Sequence, residues 1–225
     1  MPINSGSPPM ELGEYLDGAD LDGNLVHDEK LGRIYTFDNY TRTGGPNRSK
    51  GPNTGKPIVA MLMRNTSSLT LLGKRFGLID RTAGYGMSKN VTGYATTLAC
   101  KGVVLIDPFM PSTGIPANAV FWGLIAGCVP VLLPLVDTDH TADIAVNDPL
   151  VAATGTTTGA TTSGRVTHVR QVNATAGGTQ VGDNAFNMIY GCVGRAMSAR
   201  TSQETTAGAD LLVDLAINMF GPYGG

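Results

Sequence analysis

Residues 119–136, AVFWGLIAGCVPVLLPLV, form a run of eighteen residues without a charge. Such a run has to be buried, and its length approaches the roughly 20 residues of a bilayer-crossing helix. Its punctuation argues against that fate. Gly123, Gly127, Pro130 and Pro134 lie inside it, and two prolines four apart would remove helix hydrogen bonds where lipid offers no substitute partners. β-structure buries the run at lower cost. The spacing predicts a hairpin, with VFWGLI turning near Ala126-Gly127 into CVPVLLPLV as its partner strand at a sheet edge.

The composition points the same way. The 225 residues include 30 Gly, 13 Pro and 25 Thr, which leaves little material for long helices. At 42% hydrophobic and 15% charged residues the chain is too apolar for a disordered one. Its 16 Lys and Arg against 18 Asp and Glu give a net charge of −2, which argues against a nucleic-acid partner held by bulk charge. The expected fold is mostly β, with β-sandwich or barrel-like regions and an extended, irregular N-terminal arm.

Three regions follow from the patterning: an arm over 1–57, a β-rich domain over 58–149 and a second over 150–225. The arm is polar and Gly/Pro-rich, and its charges are segregated. Glu11, Glu14, Asp17, Asp20, Asp22, Asp28 and Glu29 precede Arg42, Arg48, Lys50 and Lys56. A segment of this kind cannot offset its own ordering entropy, so it is expected to order on a partner surface or a neighbouring copy. In the middle region Ile58–Met63, Ser68–Leu72 and Val103–Ile106 read as strands. In the last, Arg165–Val172, Ala185–Tyr190, Val193–Met197 and Leu211–Phe220 do, the final one with Leu211, Val213, Leu215 and Ile217 on one face and a short helix as the competing reading.

Chemistry-bearing motifs are weak. Gly51-Pro-Asn-Thr-Gly55-Lys56-Pro57 has three residues between its glycines where a phosphate loop needs four, and Pro57 replaces the magnesium-binding hydroxyl. Asp17, Asp20 and Asp22 with Gly23 fit no register of a calcium loop and read as a solvated acidic stretch. Asp137, Asp139, His140 and Asp143 could present ligands from one loop, yet no GxSxG or HExxH accompanies them. The segment from 102 to 164 has no Lys or Arg. The sharper reading is therefore electrostatic: the acidic loop Asp137, Asp139, Asp143 receives the basic stretch Arg42, Arg48, Lys50, Lys56 of another copy. Cys100, Cys128 and Cys192 form no framework and read as buried thiols of a reducing compartment. The opening MPINSGSPPMELGEY lacks the pattern of a secretory signal.

Gly191-Cys-Val-Gly-Arg-Ala-Met-Ser-Ala199, a small-residue spacer from Thr201 to Gly208, and Asp210-Leu-Leu-Val-Asp-Leu-Ala-Ile217 resemble the closing segments of tailed-bacteriophage head decoration proteins, the cement or auxiliary capsid proteins. There a "V-G-R-A" strand, a spacer and an "L-V-D-V" type strand recur. Asp148–Gly155 and Gly164-Arg-Val share the style, so the resemblance spans about 145–220. It implies a structural virion protein on the capsid exterior, whose partners are the major capsid protein and neighbouring copies of itself, with no membrane or nucleic-acid partner. Neither catalysis nor any cofactor or metal is expected. The alternatives are a β-sandwich glycan-binding module, for which the lone Trp122 inside an apolar strand is poor material, and a coat or tail structural subunit. An enzyme built on the Asp137–Asp143 loop comes third.

Overall fold

The computed structural model describes residues 8–38, 56–80, 89–95, 102–132, 144–153, 164–168, 192–200 and 210–217. These contain eleven strands and no α-helix: β1 (Tyr15–Leu16), β2 (Ile34–Phe37), β3 (Ile58–Asn65), β4 (Phe76–Ile79), β5 (Asn90–Tyr94), β6 (Val103–Ile106), β7 (Val120–Leu132), β8 (Pro149–Ala153), β9 (Arg165–His168), β10 (Cys192–Ala196) and β11 (Asp210–Ala216). The mostly-β expectation holds. All eleven belong to one mixed sheet.

Part of that sheet closes on itself. β3 pairs β5 in parallel, β5 pairs β4, β4 pairs β6, β6 pairs β7, and β7 returns to β3. The closed circuit is a five-stranded barrel. Alternation along each strand then separates two apolar sets. Met61, Met63, Ile79, Val91, Tyr94, Val104, Ile106 and Phe121 form the barrel interior, with Leu71, Ile115 and Ala119 packed among them. Ala60, Leu62, Val103, Leu105, Val120, Trp122 and Leu124 point outward into a second core. A barrel of five strands leaves little room. Gly123 and Gly77 face its interior, where a Cβ on Gly123 would lie 2.6 Å from Val104 Cγ2 and one on Gly77 2.6 Å from Val91 Cγ1.

The run that reads as a hairpin is instead a single strand, β7, thirteen residues long over the described part. Its chain bends without reversing. Val59 pairs Ala126 while Ala60 pairs Leu124, so Ile125 is an extra residue in the ladder, and Gly127 follows at φ +127°. The bulge exchanges the two faces. Before it Val120, Trp122 and Leu124 face the outer core; beyond it Val129 and Val131 do. Pro130 fits because its nitrogen points away from β11. The Leu132 N–H donates to the Lys74 carbonyl (2.9 Å) rather than to β11, and alternation places the Pro130 nitrogen on the same side.

The second half of β7 pairs β11 from Ala126↔Ala216 to Leu132↔Asp210, and β10 and β8 follow outward. Leu150, Val193, Ala196, Leu211, Val213 and Leu215 thereby join the outer core of the barrel. Residues on the two sides of position 149/150 thus contribute to one core. Ser68–Leu72 does not form the expected strand. Asn65, fully buried, donates to the Leu69, Ile115 and Pro116 carbonyls and accepts from the Ser67 N–H and hydroxyl, winding the segment into a loop; only Leu71 bridges to Ile115.

Gly123→Val should overfill the barrel and lower unfolding free energy by about 2 kcal/mol or more. Leu69→Val, at a partly exposed loop position, should change it by less than about 0.5 kcal/mol. Urea denaturation followed by tryptophan fluorescence reads both, since Trp122 is fully buried beside Tyr35 and Phe37.

Candidate partner interface

The polar N-terminal stretch is largely irregular over 8–31, as expected, but it lies along its own barrel. Met10, Leu12, Leu31 and Tyr35 are buried in the outer core, β1 pairs Tyr15 and Leu16 with Phe121 and Val120, and β2 pairs β3. Two buried charges of the barrel supply what apolar surface does not. Asp107, fully buried, accepts the Gly13 N–H at 2.6 Å and the Phe109 N–H at 2.9 Å. Arg64 of β3, only 2% exposed, reaches the Val26 carbonyl and the Asp28 carboxylate at 2.7 Å through Nη2. Gly18 fits tightly beneath, with the Asn118 carbonyl where a Cβ would go.

One part of this strap stands away from the barrel. Residues 20–25 are all exposed, and they form a hairpin closed by the Ala19↔Leu25 bridge. The Asp20 N–H donates to the Asn24 carbonyl and the Gly23 N–H to the Asp20 carbonyl, with Gly23 at φ +83°, the geometry of a type I turn followed by a glycine bulge. Asp20 holds it from inside. One carboxylate oxygen accepts the Asp22 and Asn24 N–H groups at 3.0 and 2.8 Å, and the other the Asn24 side-chain amide at 3.2 Å. These donors, the Asn24 N–H foremost, hold the Asp20 carboxyl below its ordinary pKa. The carboxylate that invites a calcium reading is thus engaged by the backbone and side chain of its own turn. Leu21 sits at the tip, fully exposed.

A second feature lies on the outward face of β10 and β11. The register Arg195↔Asp214 and Ala196↔Val213 turns Ala196 and Val213 to the core and Arg195, Met197, Leu212 and Asp214 outward; the Met197 N–H continues the ladder to the Leu212 carbonyl at 2.8 Å. Lys56 binds the Asp214 carboxylate, with 2.6 Å to Oδ2, and Lys74 lies 2.5 Å from Asp210 Oδ2. Arg200 donates through Nε to the Asp210 carbonyl at 3.0 Å. At this exposure each ion pair contributes about 0–1 kcal/mol, so the patch is a surface more than a clamp.

Among the residues expected to contact a partner, Lys56 is engaged by Asp214 of its own chain. Arg42, Arg48, Lys50, Asp137, Asp139 and Asp143 lie outside the described residues, as do His140 and Cys100. Topology still constrains the basic stretch. Phe37 and Ile58 are register partners, so the connection 38–57 is tethered at both ends to one place on the sheet. Trp122 is a core residue, with Tyr35 and Phe37 edge-on to it at 5.3 and 5.2 Å. The hairpin had a readable signal in Asp22-Gly23; the roles of Arg64, Asp107 and the Met197–Leu212 pair had none, since each depends on register. Comparison with protein-family models, curated proteins and solved structures returned no match.

Asp107→Ala should cost about 2–3 kcal/mol by stranding two backbone donors, and hydrogen exchange at Gly13 should accelerate more than at Val104. For Asp20 the depressed pKa gives a stabilisation that is complete above the ordinary Asp range and lost as pH falls through the depressed value. Protection of the Asn24 amide should fall over that acidic window in NMR exchange spectra. Asp20→Asn should shift that loss away from the window.

Proposed function

We propose that this chain is a structural virion protein that decorates the exterior of a phage capsid and stabilises it by bridging coat subunits. The observation that carries the reading is the C-terminal block bearing the resemblance: its two segments are the neighbouring strands β10 and β11, whose inner face closes the core while the outer face presents Arg195, Met197, Leu212 and Asp214. A body of this design suits a shell component. Its sheet is continuous, and the outer patch and the 20–25 hairpin are separate contact features for more than one neighbour. Several weak contacts made at once give avidity beyond any one of them, and a surface with few net charges packs densely with limited self-repulsion.

In this reading the major capsid protein is the principal partner and neighbouring copies are the second. The contact expected between Arg42, Arg48 and Lys50 of one copy and Asp137, Asp139 and Asp143 of an adjacent copy belongs to this reading. Quantitative mass spectrometry of gradient-purified particles tests the proposal. The expected result is a fixed stoichiometry of about one copy per one to three coat subunits, as a symmetric shell imposes. Absence of the chain from purified particles overturns it.

A further inference from the structure

The exposed hairpin and the β10–β11 patch are complementary to one another in shape class and in charge. The hairpin is a small knob: Leu21 fully exposed at its tip, Leu25 half exposed behind it, and Asp17, Asp20 and Asp22 around them, all exposed. The Asp20 hydrogen bonds fix the turn before any contact is made, which lowers the ordering cost of docking. The patch has the opposite design. Met197, 45% exposed, lies beside Leu212 as an apolar spot on an otherwise polar face. Around it, among the described residues, stand Arg195, Arg200, Lys56 and Lys74 with the carboxylates of Asp210 and Asp214, four cations to two anions, Lys56 and Lys74 being paired to those carboxylates. Asp148 at the margin is turned to the Ala145 N–H at 2.8 Å. Within one chain the two features do not meet, because Leu21 is wholly in solvent.

We propose that the hairpin of one copy seats on the β10–β11 face of the next, with Leu21 against Met197 and Leu212 and the Asp17, Asp20 and Asp22 carboxylates among the four cations. The occupant is a second copy of this chain. Knob and patch are different surfaces, so the contact is heterologous, and it propagates head to tail into a ring or an open chain. This gives the copy-to-copy contact of the proposed shell role and rests on that reading for its biological setting. It runs in the opposite sense to the contact expected from Arg42–Lys56 and Asp137–Asp143, since here the N-terminal region supplies the acids.

Sedimentation velocity of the full chain, over a concentration series in low and in high salt, tests the contact. The expected result is concentration-dependent assembly that weakens with salt, because the charges at the rim are screened. Leu21→Asp and Met197→Asp each alter an exposed side chain, so both should fold as the parent does by circular dichroism and lose at least about 30-fold in association constant. An equimolar mixture of the two variants decides the geometry. Leu21→Asp chains keep the patch and Met197→Asp chains keep the knob, so the mixture should form dimers and nothing larger. A parent chain that stays monomeric, variants that assemble as the parent does, or a mixture without dimers overturns the proposal. Particle stoichiometry is read separately. A monomeric chain present in particles removes this contact and leaves the decoration role, whereas head-to-tail assembly without incorporation does the reverse.

Discussion

Everything in this fold depends on how one long apolar strand is buried on both of its faces. β7 cannot satisfy itself with one partner: its first half needs a barrel wall and its second half needs the strands by which the same sheet continues beyond the barrel. The extra residue at Ile125 and the backbone freedom of Gly127 resolve the conflict. By exchanging inward and outward positions they let Trp122 and Val129, seven apart and on opposite faces of a regular strand, serve the same outer core. Gly123 and Gly77 then become a requirement of the first half, since the barrel interior has no volume left for their side chains. Pro130 becomes tolerable in the second, where its missing donor faces no strand partner.

The N-terminal strap shows a different way of ordering polar chain. Its few apolar residues, Met10, Leu12 and Leu31, could not hold it alone. The barrel contributes a buried acceptor in Asp107 and a buried donor in Arg64, and each meets backbone of the strap. A buried ion left alone is costly, so the arrangement is reciprocal: the strap covers and partners charges that would otherwise be stranded. Within residues 8–31 the turn at Asp20 stands away from the body, and its own carboxylate satisfies the turn.

Much of this architecture was legible in the residues. Ile58–Met63, Val103–Ile106, Val193–Met197 and the alternating Leu211, Val213, Leu215 all announce strands, and they form β3, β6, β10 and β11. The misreadings have separate causes. Gly127 and Pro130 are local turn signals, but whether a chain bends or reverses there is decided by a strand that arrives much later. Ser68–Leu72 has strand composition and is overruled by the side chain of Asn65. Ile34–Phe37 lies in a polar neighbourhood that hides its alternation. The partner surfaces were less legible still. The Asp22-Gly23 signal could be read, whereas the apolar spot of Met197 and Leu212 exists only because Ala196 and Val213 are register partners.

The pairing of β7 with β11 also sets an order of events during synthesis. The barrel strands, from β3 to the first half of β7, are contiguous in the chain and can close as soon as they are made. The edge from Ala126 to Leu132 cannot, because its partner is Asp210–Ala216 near the C-terminus. Until that segment leaves the ribosome, Cys128, Val129 and Val131 belong to an unpaired apolar strand. Contacts this distant in sequence form slowly, and open strand edges are where nascent chains associate wrongly. The bend that lets one strand serve both parts of the sheet therefore leaves the growing chain dependent on β11 to become safe.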